Sequence, residues 1–216
     1  MSFDSTEKTR LAQGAKQFGL ELNDRVLDQF MLFAERLEET NRTLNLTRIA
    51  PEDYVPLHFL DSLAIASFWK PKPGNTLLDL GTGAGFPGLP LAMVYPELNV
   101  TLMDGTLKRL RFLDGVIAEL GLTNVKTLHA RAEKLQGKAA FDVVTARAIA
   151  RLPKLLDWML PLVKRGGLAM AFKGQDIAEE LREAHETLKR YRVKVERVSE
   201  ITLPETEVTR KIVLIR

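Results

Sequence analysis

Between Thr76 and Gly88 the chain reads Thr-Leu-Leu-Asp-Leu-Gly-Thr-Gly-Ala-Gly-Phe-Pro-Gly. An apolar run ends in an acid, Asp79, and alternating glycines follow at Gly81, Gly83 and Gly85. Glycine has no Cβ and tolerates positive φ, so such a turn lets the backbone pass close to a bound ligand. A helix starting just after it is expected to aim free amides at that ligand. A buried strand running into a glycine turn is how α/β folds hold nucleotide-like cofactors. Other chemistries are excluded by residue type. The chain has no cysteine, which removes disulfides, thiolate catalysis and cysteine-based metal sites. His58, His129 and His185 lie far apart with no ligand spacing, so no metal is expected.

Two cofactors compete for the turn. Gly83-Ala-Gly85-Phe-Pro-Gly88 fits the dinucleotide pattern, and Asp104 stands where a ribose-binding acid belongs. S-adenosylmethionine sites share both features. Three observations favour the sulfonium cofactor. Asp79 places a carboxylate at the strand tip, suited to an ammonium, directly or through water, and repulsive to a pyrophosphate. Pro87 has no amide to give a phosphate. Ala132-Glu133 follows the third strand, where an acid can serve adenine. An NAD(P)-dependent dehydrogenase stays open as the enzymatic alternative, and an RNA-binding protein with a relict pocket as the non-enzymatic one.

The elements that must position these residues follow from periodicity. Residues 1–72 read as a helical region. Leu22, Val26, Leu27, Phe30, Phe33, Ala34 and Leu37 form one apolar stripe, with Asn23 as N-cap, and His58–Trp69 forms a second helix. Lys70-Pro-Lys-Pro-Gly74 then breaks the pattern and marks a boundary. Residues 73–216 alternate as a second, cofactor-binding domain. Strands are predicted at Thr76–Leu80, Val100–Met103, Val125–Leu128, Phe141–Thr145, Leu168–Phe172, Arg192–Val198 and Thr209–Ile215. Helices are predicted at Gly88–Tyr95, Lys108–Leu120, Leu155–Val163 (stopping before Gly166-Gly167) and Ile177–Lys189. Repeated β-α-β units predict an α/β, doubly wound, mostly parallel seven-stranded sheet closed by an antiparallel hairpin.

No apolar run approaches the ~20 residues of a membrane span, and the polar start (Asp4, Glu7, Lys8) predicts a cytoplasmic protein. The net charge of +3 permits a phosphate-rich partner without demanding one. Lys108, Arg109 and Arg111 cluster, as do Arg147, Arg151 and Lys154, and again Lys189, Arg190, Arg192, Lys194 and Arg197.

Leu44-Asn-Leu-Thr47, His58-Phe-Leu-Asp-Ser-Leu63, Asp79-Leu-Gly-Thr-Gly-Ala-Gly-Phe-Pro-Gly88 and Lys108-Arg-Leu-Arg-Phe-Leu113 occur in that order. Together they resemble the glucose-inhibited division protein B family, bacterial methyltransferases of 16S ribosomal RNA guanine N7. The resemblance implies a class I methyltransferase (Rossmann-like) sheet with a small N-terminal helical extension, and S-adenosylmethionine as cofactor. It implies 16S ribosomal RNA or the small ribosomal subunit as partner; a monomer is expected. Gly81 and Phe86 would contact the cofactor at the turn, Asp104 its ribose and Ala132 and Glu133 its adenosine part. Arg147, in Thr145-Ala-Arg-Ala148, would complete the pocket. Leu57 stands where an arginine is expected before His58, and Gly105 where a serine is expected after Asp104. N7 carries its own lone pair, so no proton-transfer residue is assigned. Phe86 and Phe172 are candidates to stack on the base; Lys108, Arg109, Arg111, Lys173 and Arg210 are candidate RNA contacts.

Overall fold

A computed structural model describes residues 3–135, 140–147, 149–174 and 177–216. The helix α1 (Ser5–Lys16) is capped by Asp4, and α2 (Asp24–Leu44) by Asn23, whose Oδ1 accepts from the Val26 amide at 3.0 Å. Asn45 ends α2 in the left-handed region, a conformation asparagine tolerates. The second helical stretch starts before His58. It opens as a 3-10 turn (Pro51–Asp53) and continues as a π-helical segment (Val55–Leu60) that contains His58. One α-helical turn follows, α3 (Asp61–Leu63), and then a second 3-10 turn (Ala64–Ser67).

The strands are β1 (Thr76–Leu80), β2 (Asn99–Asp104), β3 (Val125–His129), β4 (Phe141–Arg147), β5 (Val163–Lys173), β6 (Val195–Thr202) and β7 (Thr209–Ile215). They form one seven-stranded sheet in the order β3-β2-β1-β4-β5-β7-β6. All pairs are parallel except those of β7 with β5 and β6, so the expected closing hairpin is present. Both faces of the central strands are covered, which is why β1 and β2 read as nearly continuous apolar runs, while the edge strands β3 and β6 stay largely exposed. Leu77, Val143, Met170 and Leu214 pack on one face with α2, the 51–67 stretch, α4 (Gly88–Val94) and α5 (Leu107–Glu119). Leu78, Val144, Ala169 and Val213 pack on the other with α6 (Leu152–Met159), α7 (Ala178–Glu183) and α8 (His185–Tyr191). The N-terminal helices thus share one hydrophobic cluster with the sheet.

Several expected boundaries move. The helix placed at Leu155–Val163 begins at Leu152, with Pro153 in its first turn, and ends at Met159, because Pro161 cannot donate to the preceding turn. Gly166-Gly167 therefore lies inside β5 and not beyond a helix end. The charged stretch Ile177–Lys189 forms two helices meeting at Ala184. Arg192, expected to open a strand, closes α8 at φ 56°.

Candidate active site

The strand order reverses between β1 and β4, and in open α/β sheets ligands bind beyond the carboxyl ends of the strands at such a point. The glycine turn leaves β1 there. Asp79 is buried; its Oδ2 accepts from the Thr82 hydroxyl at 2.6 Å and the Gly88 amide at 2.9 Å. The Thr82 amide donates to Met103 O, the Gly83 amide to Asp104 Oδ2, and those of Gly85 and Phe86 to Thr82 O. The expectation of free amides at this helix start is therefore corrected: these donors are engaged inside the protein. Fewer amides are then left for a diphosphate of the kind a dinucleotide carries. Asp79 Oδ1 and Thr145 Oγ1, from residues paired across β1 and β4, are buried without a partner among the described residues. Unpartnered buried polar atoms are uncommon and mark places where a ligand or water completes the bonding. Burial raises Asp79 to about 6; the Thr82 and Gly88 bonds and the nearby Arg147 cation oppose this, while Asp104 adds to it.

The glycines divide by role. Gly83 has φ +59°, and a Cβ on it would meet nothing nearer than Gly81 O at 4.0 Å, so the chain is bare toward open space. Gly81 has φ +70° and faces Ile149, which follows β4, at 3.0 Å. At Gly85 the bare direction faces Leu113 and Phe33 at 2.9 and 3.5 Å, so this glycine serves packing and not the crevice. Asp104 ends β2 almost buried; its carboxylate accepts from the Gly83 amide at 3.1 Å and the Thr106 amide at 2.8 Å. Arg109, a candidate RNA contact, reaches Asp104 Oδ2 at 3.3 Å, which ties its charge to the crevice. Lys108 and Arg111 stay exposed on α5. Ala132 and exposed Glu133 lie in a 3-10 turn just after β3.

Arg147, the last residue of β4, joins the sheet to the N-terminal helices; Ala148, which closes its motif, lies outside the described residues. Its Nη1 donates to Asp61 Oδ2 at 2.9 Å and Leu57 O at 3.3 Å, and its Nη2 donates to His58 Nδ1 at 3.1 Å. A guanidinium only donates, so Nδ1 must be the acceptor and Nε2 must carry the proton, which it gives to Thr47 Oγ1 at 2.8 Å. Burial, and secondarily Arg147, lower His58 to about 2, which keeps the imidazole neutral. The Phe86 ring stacks on His58 (centroids 4.1 Å apart, planes within 4°) and lies under Arg147 at 5.2 Å. Buried among Phe33, Phe59 and His58, Phe86 cannot stack on an incoming base, which corrects that expectation. The ring instead supports the turn from behind.

Beyond Arg147 opens a cavity of about 320 Å³ lined by Ile49, Leu57, Asp61, Arg147, Phe172, Lys173, Gly174 and Arg210. Asp61 is fully buried between two cations: Arg147 on Oδ2 and Arg210, whose Nε donates to Oδ1 at 3.2 Å. Lys173 is corrected as a free phosphate contact. It is buried, donates to Ala150 O at 2.9 Å, and pairs with Glu180 at 2.6 Å. Phe172 lines the cavity but is 1% exposed, too enclosed to offer a stacking face. Asp61 and His58 both join the helical part to the sheet through Arg147, and Thr47 caps a turn by accepting from the Ile49 amide, while the second cation on Asp61, Arg210, has no signal in the sequence. Asp61 follows His58 by three positions, which puts both on one helix face. Leu57, the departure from the expected arginine, lines this same cavity as an apolar wall.

The family model of rRNA small subunit methyltransferase G (GidB) matches residues 26–211. Ribosomal RNA small subunit methyltransferase G of Lachnoclostridium phytofermentans is 41% identical over 215 residues, covering 97% of this chain and 89% of that protein. The protein of the same name from Desulfitobacterium hafniense is 46% identical over 178 residues, covering 80% of this chain and 73% of its own. Among solved structures, a SAM-dependent methyltransferase from Aquifex aeolicus superposes with a TM-score of 0.58 at 19% identity, covering 84% of this chain and 97% of that one. TYW2 from M. jannaschii in complex with AdoMet gives 0.54 at 17% identity, covering 67% and 68%. These two likenesses establish the class I methyltransferase fold. With the matching family model and relatives near-complete in coverage, the chain belongs to the rRNA small subunit methyltransferase G family.

Proposed function

We propose that this chain transfers the methyl group of S-adenosylmethionine to N7 of a guanosine in 16S ribosomal RNA, as a cytoplasmic monomer acting on RNA or on the small-subunit particle. The helical region of residues 1–72 and the sheet domain of residues 73–216 would then share the work, with Arg147 at their junction. The observation that carries this reading lies at the strand reversal: a buried carboxylate oxygen on Asp79 with no partner among the described residues, beside a positive-φ Gly83 that is bare toward open space. A carboxylate there suits the ammonium of the cofactor and would repel a pyrophosphate, which disfavours the dehydrogenase alternative.

S-adenosylmethionine supplies an electrophilic methyl group on a positively charged sulfur. Asp79 would face its ammonium, Gly81 and Gly83 would let it approach the backbone, and Asp104 would accept from its ribose hydroxyls. Ala132 and Glu133 would flank the adenine, and Arg147 would close the pocket. Guanine N7 carries its own in-plane lone pair, so no residue would have to remove a proton before the methyl group is accepted. The protein's task is alignment, which can supply about 7–11 kcal/mol. The buried carboxylate of Asp79 would stabilise positive charge as it shifts. Lys108 and Arg111 are left as the exposed phosphate contacts. Digestion of unmodified small-subunit particles after reaction, followed by mass spectrometry, should locate a single 7-methylguanosine in 16S RNA. Absence of methyl transfer to both particles and naked RNA would overturn the reading.

A further inference from the structure

The side chains lining the cavity beside Arg147 share one chemical property. Arg147, Arg210 and Lys173 can only donate hydrogen bonds, and the oxygens of the one acid, Asp61, each already accept from a guanidinium. Lys173 is turned to Glu180 and Ala150 O, and Arg147 is held by Asp61, Leu57 O and His58. Arg210 differs. Only its Nε is tied, to Asp61, so the outer N–H groups on Nη1 and Nη2 have no partner among the described residues; its side chain is 27% exposed. The remaining walls, Ile49, Leu57 and Phe172, are apolar. The cavity therefore combines apolar walls with a donor fork held at its Nε by Asp61.

The nucleobase edges discriminate against such a fork. Guanine presents O6 and N7, both acceptors, on its major-groove edge, whereas adenine presents a donor amino group at the equivalent carbon and cytosine presents one at its C4. We propose that Arg210, oriented by Asp61, is a specificity-determining residue that donates to O6 of the target guanine and so presents the neighbouring N7 for attack. This rests on the guanine-N7 reading above. Asp61 is the positioning residue: its carboxylate sets the fork's direction and cancels one of the two positive charges beside the base. A donor fork on O6 leaves the N7 lone pair free, unlike the bidentate pairing to both atoms seen when arginine reads duplex DNA.

The test uses the full chain and small-subunit particles reconstituted on 16S RNA carrying one altered nucleoside at the methylated position. Inosine keeps O6 and N7 and lacks only the 2-amino group; 2-aminopurine keeps N7 and the 2-amino group but has hydrogen in place of O6. With wild-type protein, inosine should be methylated within about threefold of guanosine. The 2-aminopurine substrate should fall by about 10–100-fold in kcat/KM, the loss expected when a donor site meets no acceptor. In Arg210→Gln the guanosine rate should fall by about 10–100-fold and the guanosine preference over 2-aminopurine should shrink by a similar factor, with cofactor affinity unchanged by calorimetry. Arg210→Lys, which keeps a charge but not the fork, should recover less than half of the lost preference if the fork is what reads the base. Methylation of 2-aminopurine by the wild type at the guanosine rate overturns the proposal, and this arm needs no variant. An unchanged base preference in Arg210→Gln overturns it equally. A wild type inert on unaltered guanosine particles would instead bring down the methyltransferase reading itself, so the two failures are distinct.

Discussion

The glycine turn and the Asp61 cavity meet at Arg147, yet they are built in opposite ways. The turn is local: Asp79, Thr82, Gly83 and Gly88 lie within ten residues, and apart from Asp104 and Met103 on the next strand they bond to one another. The cavity is assembled from distant segments: Thr47–Asp61, Arg147, Phe172–Gly174 and Arg210. The turn spends its donors on itself and leaves an acceptor, Asp79 Oδ1, without a partner among the described residues. The cavity ties up its acceptor, Asp61, and leaves donors on Arg210 free. One side is suited to a cation and the other to a hydrogen-bond acceptor. A cationic methyl donor and a lone-pair-bearing purine are matched to those two sides.

This contrast is open to attack at three points. The largest effect is expected at Asp61→Ala, which leaves Arg147 and Arg210 without their shared buried counter-charge. Removing one partner of a buried pair costs about 3–5 kcal/mol, so urea unfolding should show a loss of that order. A loss below about 1 kcal/mol would mean that the two arginines do not need this carboxylate. Next comes Gly83→Val. The left-handed backbone there makes a branched side chain strained by about 1–2 kcal/mol, but the added atoms enter open space and not the core. The variant should fold while binding S-adenosylmethionine at least about a hundredfold more weakly, as read by calorimetry. Retained affinity would make the turn structural only.

The smallest effect concerns Asp79. Its folded value, about 6, lies above its ordinary 3.8, so its contribution to stability is greatest below pH 3.8 and is lost as the pH rises through about 6. An ammonium bound to the ionised form reverses that preference. Cofactor affinity should therefore fall about tenfold from pH 7 to pH 5, and Asp79→Asn should abolish the dependence while weakening binding at neutral pH. A flat affinity profile in the wild type would separate Asp79 from the ligand.

Much of the scaffold was legible because its signals are short-range. Asn23 caps α2 as its side chain predicts, β1 and β7 start and end where the apolar patterns do, and Gly121 closes α5 with φ +64°. Errors fell where a neighbour outweighed the pattern: Pro161 moved the end of α6, and Arg192 closed a helix instead of opening a strand. The candidate site divides in the same way. Asp79, Asp104 and the positive-φ glycines could be read from spacing. The burial of Phe86, the pairing of Lys173 with Glu180 and the two-arginine clasp on Asp61 could not, because each partner lies far along the chain.

The sequence by itself determined the alternation of strands and helices, the glycine turn, the acids at two strand tips and, through its ordered motifs, the family. These depend on backbone preference and on side chains within a few residues of each other. Only the tertiary structure decided which charges remain available. Whether a lysine or arginine can meet RNA depends on which carboxylate folding brings beside it, and a buried ion pair is set by the packing of the sheet against the N-terminal helices, not by any local preference of the chain.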